Sequence, residues 1–168
     1  MNPMRDVLIE KVTVNIGMGK SGEALENART LIKKLTGKTA VTTYAKVRNP
    51  TFKIRKGDPI GAKTTLRKKG AEEFLKKALV AIDANIPRRS FDREGNFAFG
   101  IKEYIDFPGA KYDPKIGILG FDVCVTLSRK GARIMERKRA KAKIGRKHRI
   151  TREEGITFAK EKFGVQLT

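Results

Sequence analysis

The residues 12–22 read VTVNIGMGKSG, and their types could hold a phosphate. Gly17, Gly19 and Gly22 spell G-x-G-x-x-G, the dinucleotide fingerprint, while Gly19, Lys20 and Ser21 spell the end of a P-loop. Neither motif completes. A P-loop needs an earlier glycine at position 14, which is Val14. A dinucleotide site wants an acidic residue about 20 positions further on to hold the ribose, and no Asp or Glu occurs between Glu26 and Asp58. What remains is a tight strand-to-helix turn that needs glycine. Alternatively, the segment is a strand end whose backbone lets an RNA phosphate approach, with the Asn15 amide able to donate and accept.

A second group is NPTFKIRKGDP at 49–59, where Phe52 sits between Pro50 and Lys53, with Arg55 and Lys56 beyond. Cations interleaved with an aromatic suit unpaired bases, which stack on the ring while the charges meet phosphates. The same residues also fit Phe52 folded back onto the domain, and the sequence leaves the two open. A third group is RKGARIMERKRAKAKIGRKHR at 129–149, about half Lys or Arg with Glu136 alone opposing. Such runs are often plain solvated faces. Here Ile134, Met135 and Ile144 offer little core to fix the run, and its self-repulsion favours an arm that orders on nucleic acid. His148, the single histidine, falls inside that run and reads as one more polar contact. Ser21, Ser90 and Ser128 have no histidine partner outside it, so no nucleophilic constellation can be assembled.

These groups must be positioned by elements that the hydrophobic periodicity predicts. Residues 10–17 alternate as a strand through Val12, Val14 and Ile16. Ser21 is placed to cap a helix carrying Leu25, Ala28, Ile32 and Leu35, with Gly37 as its stop. Two-residue periodicity returns at 40–48, with Val41, Thr43, Ala45 and Val47 opposite Thr42, Tyr44, Lys46 and Arg48. It returns again at 60–67, where Ile60, Ala62, Thr64 and Leu66 oppose Gly61, Lys63, Thr65 and Arg67. Tyr44 and Lys46 are expected beside Lys63, Thr65 and Arg67 on a polar, partly basic sheet face. A helix is expected from about Ala71 to Asp83 on Phe74, Leu75, Ala78, Leu79 and Ile82. Strands then follow through Phe97, Phe99, Ile101 and Ile105, and through Phe121, Val123, Val125 and Leu127 as the last strand. Thr151 and Glu154 form a T-x-x-E capping box opening a final helix with Ile156, Ala159 and Phe163, stopped by Gly164. The order β-α-β-β-α-β-β-α, with strands adjacent in sequence, favours an α+β fold with an antiparallel sheet. It is read as a single domain over 1–168 with the basic arm at about 129–149 inserted before the C-terminal helix.

Composition narrows the partner. Thirty-eight Lys and Arg against 18 acidic residues give a formal charge of +20 over 168 residues. A polyanion relieves that repulsion best, so nucleic acid is the expected partner and a membrane is not. No apolar run reaches the ~18 residues of a spanning helix. The single cysteine, Cys124, permits no internal disulfide or thiolate metal cluster and fits a reducing cytoplasm. No cofactor, metal or enzymatic activity is expected. The rivals are a nucleotide-binding enzyme using the glycine motif and a free basic RNA chaperone.

Three segments together, VTVNIGMG, FKIRKGDPIGAKTTLR and SFDREGNFAFGIKEYIDFP, resemble the universal large-subunit ribosomal protein family L five, over about residues 5–128 and the closing helix. The short N-terminus and the basic insert are similar to the archaeal–eukaryotic branch. The resemblance implies a curved, mainly antiparallel sheet of about five strands with helices packed on one face. It implies a structural rRNA-binding protein that attaches 5S rRNA to the large rRNA in the central protuberance, among other proteins of that region. By motif position, the 5S contacts fall on Lys11, Asn15, Phe52, Thr65 and Arg67, with a further one on Lys38, and Gly17 and Gly19 shape the strand end beside them. The loop from Val47 to Asp58, with Arg48, Asn49, Lys53, Arg55 and Lys56, is implied to reach transfer RNA in the peptidyl site. A bridge to the small-subunit head protein of the S thirteen family is also implied. Arg133, Arg137, Lys138, Arg139, Lys141, Arg146 and Lys147 of the arm are expected to meet rRNA phosphates.

Overall fold

The computed structural model describes residues 2–19 and 22–168. Its strands are β1 (Val7–Gly17), β2 (Val41–Tyr44), β3 (Pro59–Leu66), β4 (Asn85–Ile86), β5 (Phe97–Ile101), β6 (Phe121–Arg129) and β7 (Gln166–Leu167). The helices are α1 (Glu23–Thr36), α2 (Lys69–Val80) and α3 (Arg152–Phe163). Five of the strands form one antiparallel sheet in the order β2-β3-β1-β6-β5. A separate parallel pair joins β4 to β7.

Alternation decides which face is covered. Val12, Val14 and Ile16 of β1 lie in one buried cluster with Ala62 and Leu66 of β3 and with Val123, Val125 and Leu127 of β6. Leu25, Ala28, Leu31 and Ile32 of α1 and Phe74, Leu75, Ala78 and Leu79 of α2 complete that cluster. Burying the Val, Leu, Ile and Phe side chains of this cluster contributes about 1.5–3 kcal/mol each. Thr13, Asn15, Lys63, Thr65, Asp122 and Cys124, which alternate with them, point to the opposite face, and none of these six is buried. A sheet buried on one side only is the normal antiparallel case. No helix among the described residues is long and apolar enough to cross a membrane.

The local signals act as expected at several ends. Gly37 and Gly164 stop α1 and α3 in the left-handed conformation, at φ 67° and 65°. Thr151 and Glu154 close a full capping box at α3. Ser21, expected as a helix cap, lies outside the described residues, and Gly22 occupies the N-cap position of α1.

Other expectations are corrected. The strand expected over 40–48 has only four residues, Val41–Tyr44, at the edge of the sheet: Val41 and Val47 are exposed, and of residues 40–48 only Ala40 and Ala45 are buried. Alternation after Ile101 breaks at a 3₁₀ turn, so Tyr104 is buried and Ile105 exposed. The Tyr104 hydroxyl accepts from the Asp113 backbone N–H at 2.8 Å, which fixes the Pro/Gly-rich connection. Helix α2 ends at Val80, three residues early, where a turn carries Asp83 and Ala84 at positive φ. The strand β6 is not the last, since β7 follows α3. Two-residue strands such as β4 and β7 are too short to leave a periodic signature.

Candidate nucleic-acid interface

The open sheet face is assembled by register. Val41, Lys63, Asn15 and Asp122 stand directly across from one another on β2, β3, β1 and β6. The next row holds Thr65, Thr13 and Cys124. Lys11 faces Thr126 one row further, and Arg67 follows the end of β3 beside it. Four of the anticipated contact residues, Lys11, Asn15, Thr65 and Arg67, thus converge on one surface. Tyr44 and Lys46 do not join it as expected. Val41 and Thr43 pair with Lys63 and Gly61, Thr42 turns inward with Ala62, and Lys46 lies beyond the strand; Tyr44 reaches Pro59 only through a register irregularity.

Glu10, which periodicity did not single out, tunes this face. A register irregularity between Ile9 and Lys11 sets its carboxylate between two cations, 3.3 Å from Arg67 and 3.6 Å from Lys11. Such exposed pairs contribute less than about 1 kcal/mol, so both cations can exchange Glu10 for phosphate. Lys63 has no ion pair among the described residues. Lys38, just past α1, joins this face at its edge: with Val41, Lys63 and Thr65 it lines one open depression of about 630 Å³.

The glycine segment is committed to the fold. Met18 and Gly19 both donate backbone N–H groups to the Ile60 carbonyl, at 2.8 and 2.9 Å. Those donors are therefore unavailable to cradle a nucleotide phosphate. Gly19 sits at φ 64°, and Gly17 has open space where a Cβ would be, so the strand end is accessible from outside. Lys20 lies outside the described residues.

The loop 45–58 projects from the β2–β3 end of the sheet. Two tiers of backbone pairing stiffen it: Ala45 with Gly57 and Asp58, then Asn49 with Ile54 at 2.9 and 3.0 Å. Lys53 turns the tip at φ 56°. Phe52 is 69% exposed, so it is not folded back onto the domain. Arg48, Lys53, Arg55 and Lys56 are exposed and free of ion pairs among the described residues. The Asn49 side chain accepts from the Thr51 N–H, which leaves its amide NH₂ free to donate.

The basic arm begins later than expected. Arg129 is the last residue of β6, only 8% exposed, and its guanidinium is paired with Glu154. The arm proper is 130–149, with ten cations and one acid, and it carries +9 of the chain's +20. Its ends are held: Lys130 lies 3.6 Å from Asp6, and His148 Nε2–H donates to the Lys130 carbonyl at 3.0 Å. Between two 3₁₀ turns, Ala132–Met135 and Arg146–His148, residues 136–143 are all exposed. Arg133, Lys138, Arg139, Lys141, Arg146 and Lys147 have no acidic partner among the described residues, and Arg137 donates only to the Ala140 carbonyl.

Burial works against charge on Glu154, but the Thr151 backbone N–H and the Arg129 guanidinium outweigh it and hold its carboxyl below the ordinary glutamate value. That ion pair with the capping box fastens the arm's far end to its near end.

Comparison with known proteins agrees with this architecture. Residues 2–55 match the family described as Ribosomal protein L5, and residues 59–158 match the model for the C-terminus of the same ribosomal family. The chain is 52% identical over 166 residues to the large ribosomal subunit protein uL5 of Sulfolobus acidocaldarius, covering 99% of this chain and 93% of that protein. It is 47% identical to the protein of that name from Methanoregula boonei, over 98% of this chain and 99% of the relative. It is 48% identical to that of Methanococcus vannielii, over 98% of this chain and 93% of the relative. With both halves matched and archaeal relatives aligned nearly end to end, the chain belongs to the ribosomal protein L5 family, whose members are structural, non-enzymatic constituents of the large ribosomal subunit.

Proposed function

We propose that this chain binds 5S rRNA and attaches it to the large rRNA in the central protuberance of a cytoplasmic ribosome. The observation that carries this reading is the uncovered sheet face on which register gathers Lys11, Asn15, Lys63, Thr65 and Arg67. Its mechanism is recognition by shape and phosphate. A rigid sheet presents donors at fixed spacing, while exposed cations of the loop and arm neutralise backbone charge with little sequence choice. Asn15 and Thr65 supply uncharged groups that read base edges or 2′-hydroxyls beside Lys11 and Arg67. Lys38 and Phe52 extend the contact at the β2 side, and Gly17 and Gly19 let the RNA approach the end of β1.

The exposed loop with Arg48, Asn49, Lys53, Arg55 and Lys56 contacts transfer RNA in the peptidyl site. Its two-tier pairing gives the reach and stiffness for that role. Contact with the small-subunit head protein of the S thirteen family completes the set of partners. Footprinting of 5S rRNA with the purified protein tests the first assignment. Protection confined to one helix–loop region, weakened by Arg67→Ala, is the expected result, and uniform protection would point to a general RNA chaperone. Sedimentation of the native protein with the large subunit separates the same two cases.

A further inference from the structure

Between the arm and the end of the sheet lies a cavity of about 580 Å³ that the mechanism above does not use. Its apolar walls are Leu8, Met135 and Ile144, and its charged rim includes Arg67 and Arg133, with the His148 ring beside them. Leu8 is 39% and Met135 40% exposed, so the walls face solvent. Arg129 forms part of the floor: its Nη2 donates to Glu154, and its buried Nε has no hydrogen-bond partner. Arg67 belongs both to this rim and to the open face, so the two surfaces are continuous.

Resting on the reading of this chain as a 5S rRNA-binding protein, we propose that the cavity receives one unpaired nucleotide of that RNA, lifted out of its stack. The size fits the pocket range of small planar ligands. A nucleotide is an apolar ring joined to a phosphate, which matches apolar walls under a cationic rim. The base rests against Leu8, Met135 and Ile144, the thioether supplying a polarisable contact. The imidazole of His148 and the guanidinium of Arg133 offer flat surfaces of the kind on which splayed RNA bases stack. Arg67 and Arg133 hold the flanking phosphates. Glu10, Glu94 and Glu136 also line the cavity, and their carboxylates are acceptors for a base's exocyclic amine. A protein partner's apolar side chain would fill the walls but offer no anion to Arg133, which has no acidic partner among the described residues.

The chain has four methionines, so ¹³C-methyl labelling gives a sparse spectrum in which Met135→Leu identifies one resonance. On titration with transcribed 5S rRNA, the Met135 methyl is expected to move upfield under the ring current of a stacked base. Met135→Asp is expected to weaken the complex up to about tenfold, the upper end for a lost sulfur–aromatic contact. Val80→Asp, an equal charge change at an exposed site on α2 away from the cavity, is expected to weaken it far less. A complex that forms by gel shift while the Met135 methyl stays in place overturns the proposal and leaves RNA binding intact. Equal losses in the two aspartate variants overturn it as well, by assigning the effect to charge alone. Absence of any 5S complex overturns this proposal and the underlying function together.

Discussion

At the scale of single residues, Arg67 and Gly61 show how differently neighbours can matter. Arg67 is exposed and its one ion pair, to Glu10, is at the surface. Removing it leaves Glu10 its contact with Lys11, so Arg67→Ala is expected to change folding stability by less than about 1 kcal/mol. Its loss should weaken 5S rRNA binding by about 1.5–3 kcal/mol, the range for a hydrogen bond to a charged group. Parallel urea unfolding and filter binding check both halves; unchanged affinity would remove Arg67 from the interface. Gly61 is the reverse case. A Cβ there would lie 2.5 Å from the Ile16 carbonyl oxygen and 3.0 Å from Thr43 Oγ1. The first is backbone of the neighbouring central strand and cannot turn away. Gly61→Ala is therefore expected to cost about 1–3 kcal/mol of stability, as overpacking does, read as a lower urea midpoint at an unchanged slope. A midpoint equal to the parent's would mean that β1 and β3 can separate locally without cost.

At the scale of elements, the junction of β6 and α3 carries a pH dependence whose direction is fixed by Glu154. Its folded pKa is lowered, with burial opposing and the Thr151 backbone N–H and Arg129 prevailing. A lowered carboxylate pKa gives stability that is fully present above the ordinary glutamate value of 4.5 and is lost as pH falls through the folded pKa. Protonation also leaves the buried Arg129 guanidinium without its counter-charge. Glu154→Gln should cost about 1–2 kcal/mol near neutrality, below the range for breaking a fully buried pair because Glu154 is half exposed. The variant should lose less further stability than the parent between pH 5 and about pH 3. Thermal melts across that range decide it, and parallel curves for the two proteins would sink the role given to Glu154. The capping-box half of this junction was legible in the sequence, because T-x-x-E is a local signal. The Arg129 half was not, because a basic run gives no hint that its first member turns inward. The same contrast holds for the whole sheet. Alternation revealed the covered side of β1, β3 and β6, since a buried face forces a period of two. The same period marked edge strand β2 but gave neither its length nor its inward face, and the rows across the sheet stayed hidden, because register is set by pairing between distant segments. The face that gathers Lys11, Asn15, Thr65 and Arg67 came from family motifs in the sequence; its physical reason, one uncovered side of the sheet, needed the fold.

At the scale of the whole molecule, the distribution of charge separates affinity from specificity. The arm carries +9 within twenty residues, while the sheet face mixes cations with Asn15, Thr65 and Glu10. Phosphate contacts release counterions, so each contributes a slope of roughly −0.7 to −0.9 in log affinity against log salt. Such contacts carry no sequence information, whereas polar groups at fixed register do. Replacing Lys138, Arg139 and Lys141 together with Gln should therefore weaken 5S rRNA and an unrelated RNA by the same factor. The salt slope for 5S rRNA should fall by roughly two units if all three meet phosphates. Because all three side chains are exposed and unpaired with acids, the melting temperature should stay within a degree or so of the parent or rise slightly, as self-repulsion within the arm is relieved. Asn15→Ala should act differently, lowering 5S binding more than binding of the unrelated RNA, because its amide is placed to read base edges or 2′-hydroxyls. Filter binding of both RNAs at several salt concentrations tests the division. If the arm variant lost 5S affinity selectively, the arm would be reading structure in the RNA, and the sheet face would no longer be the sole source of specificity.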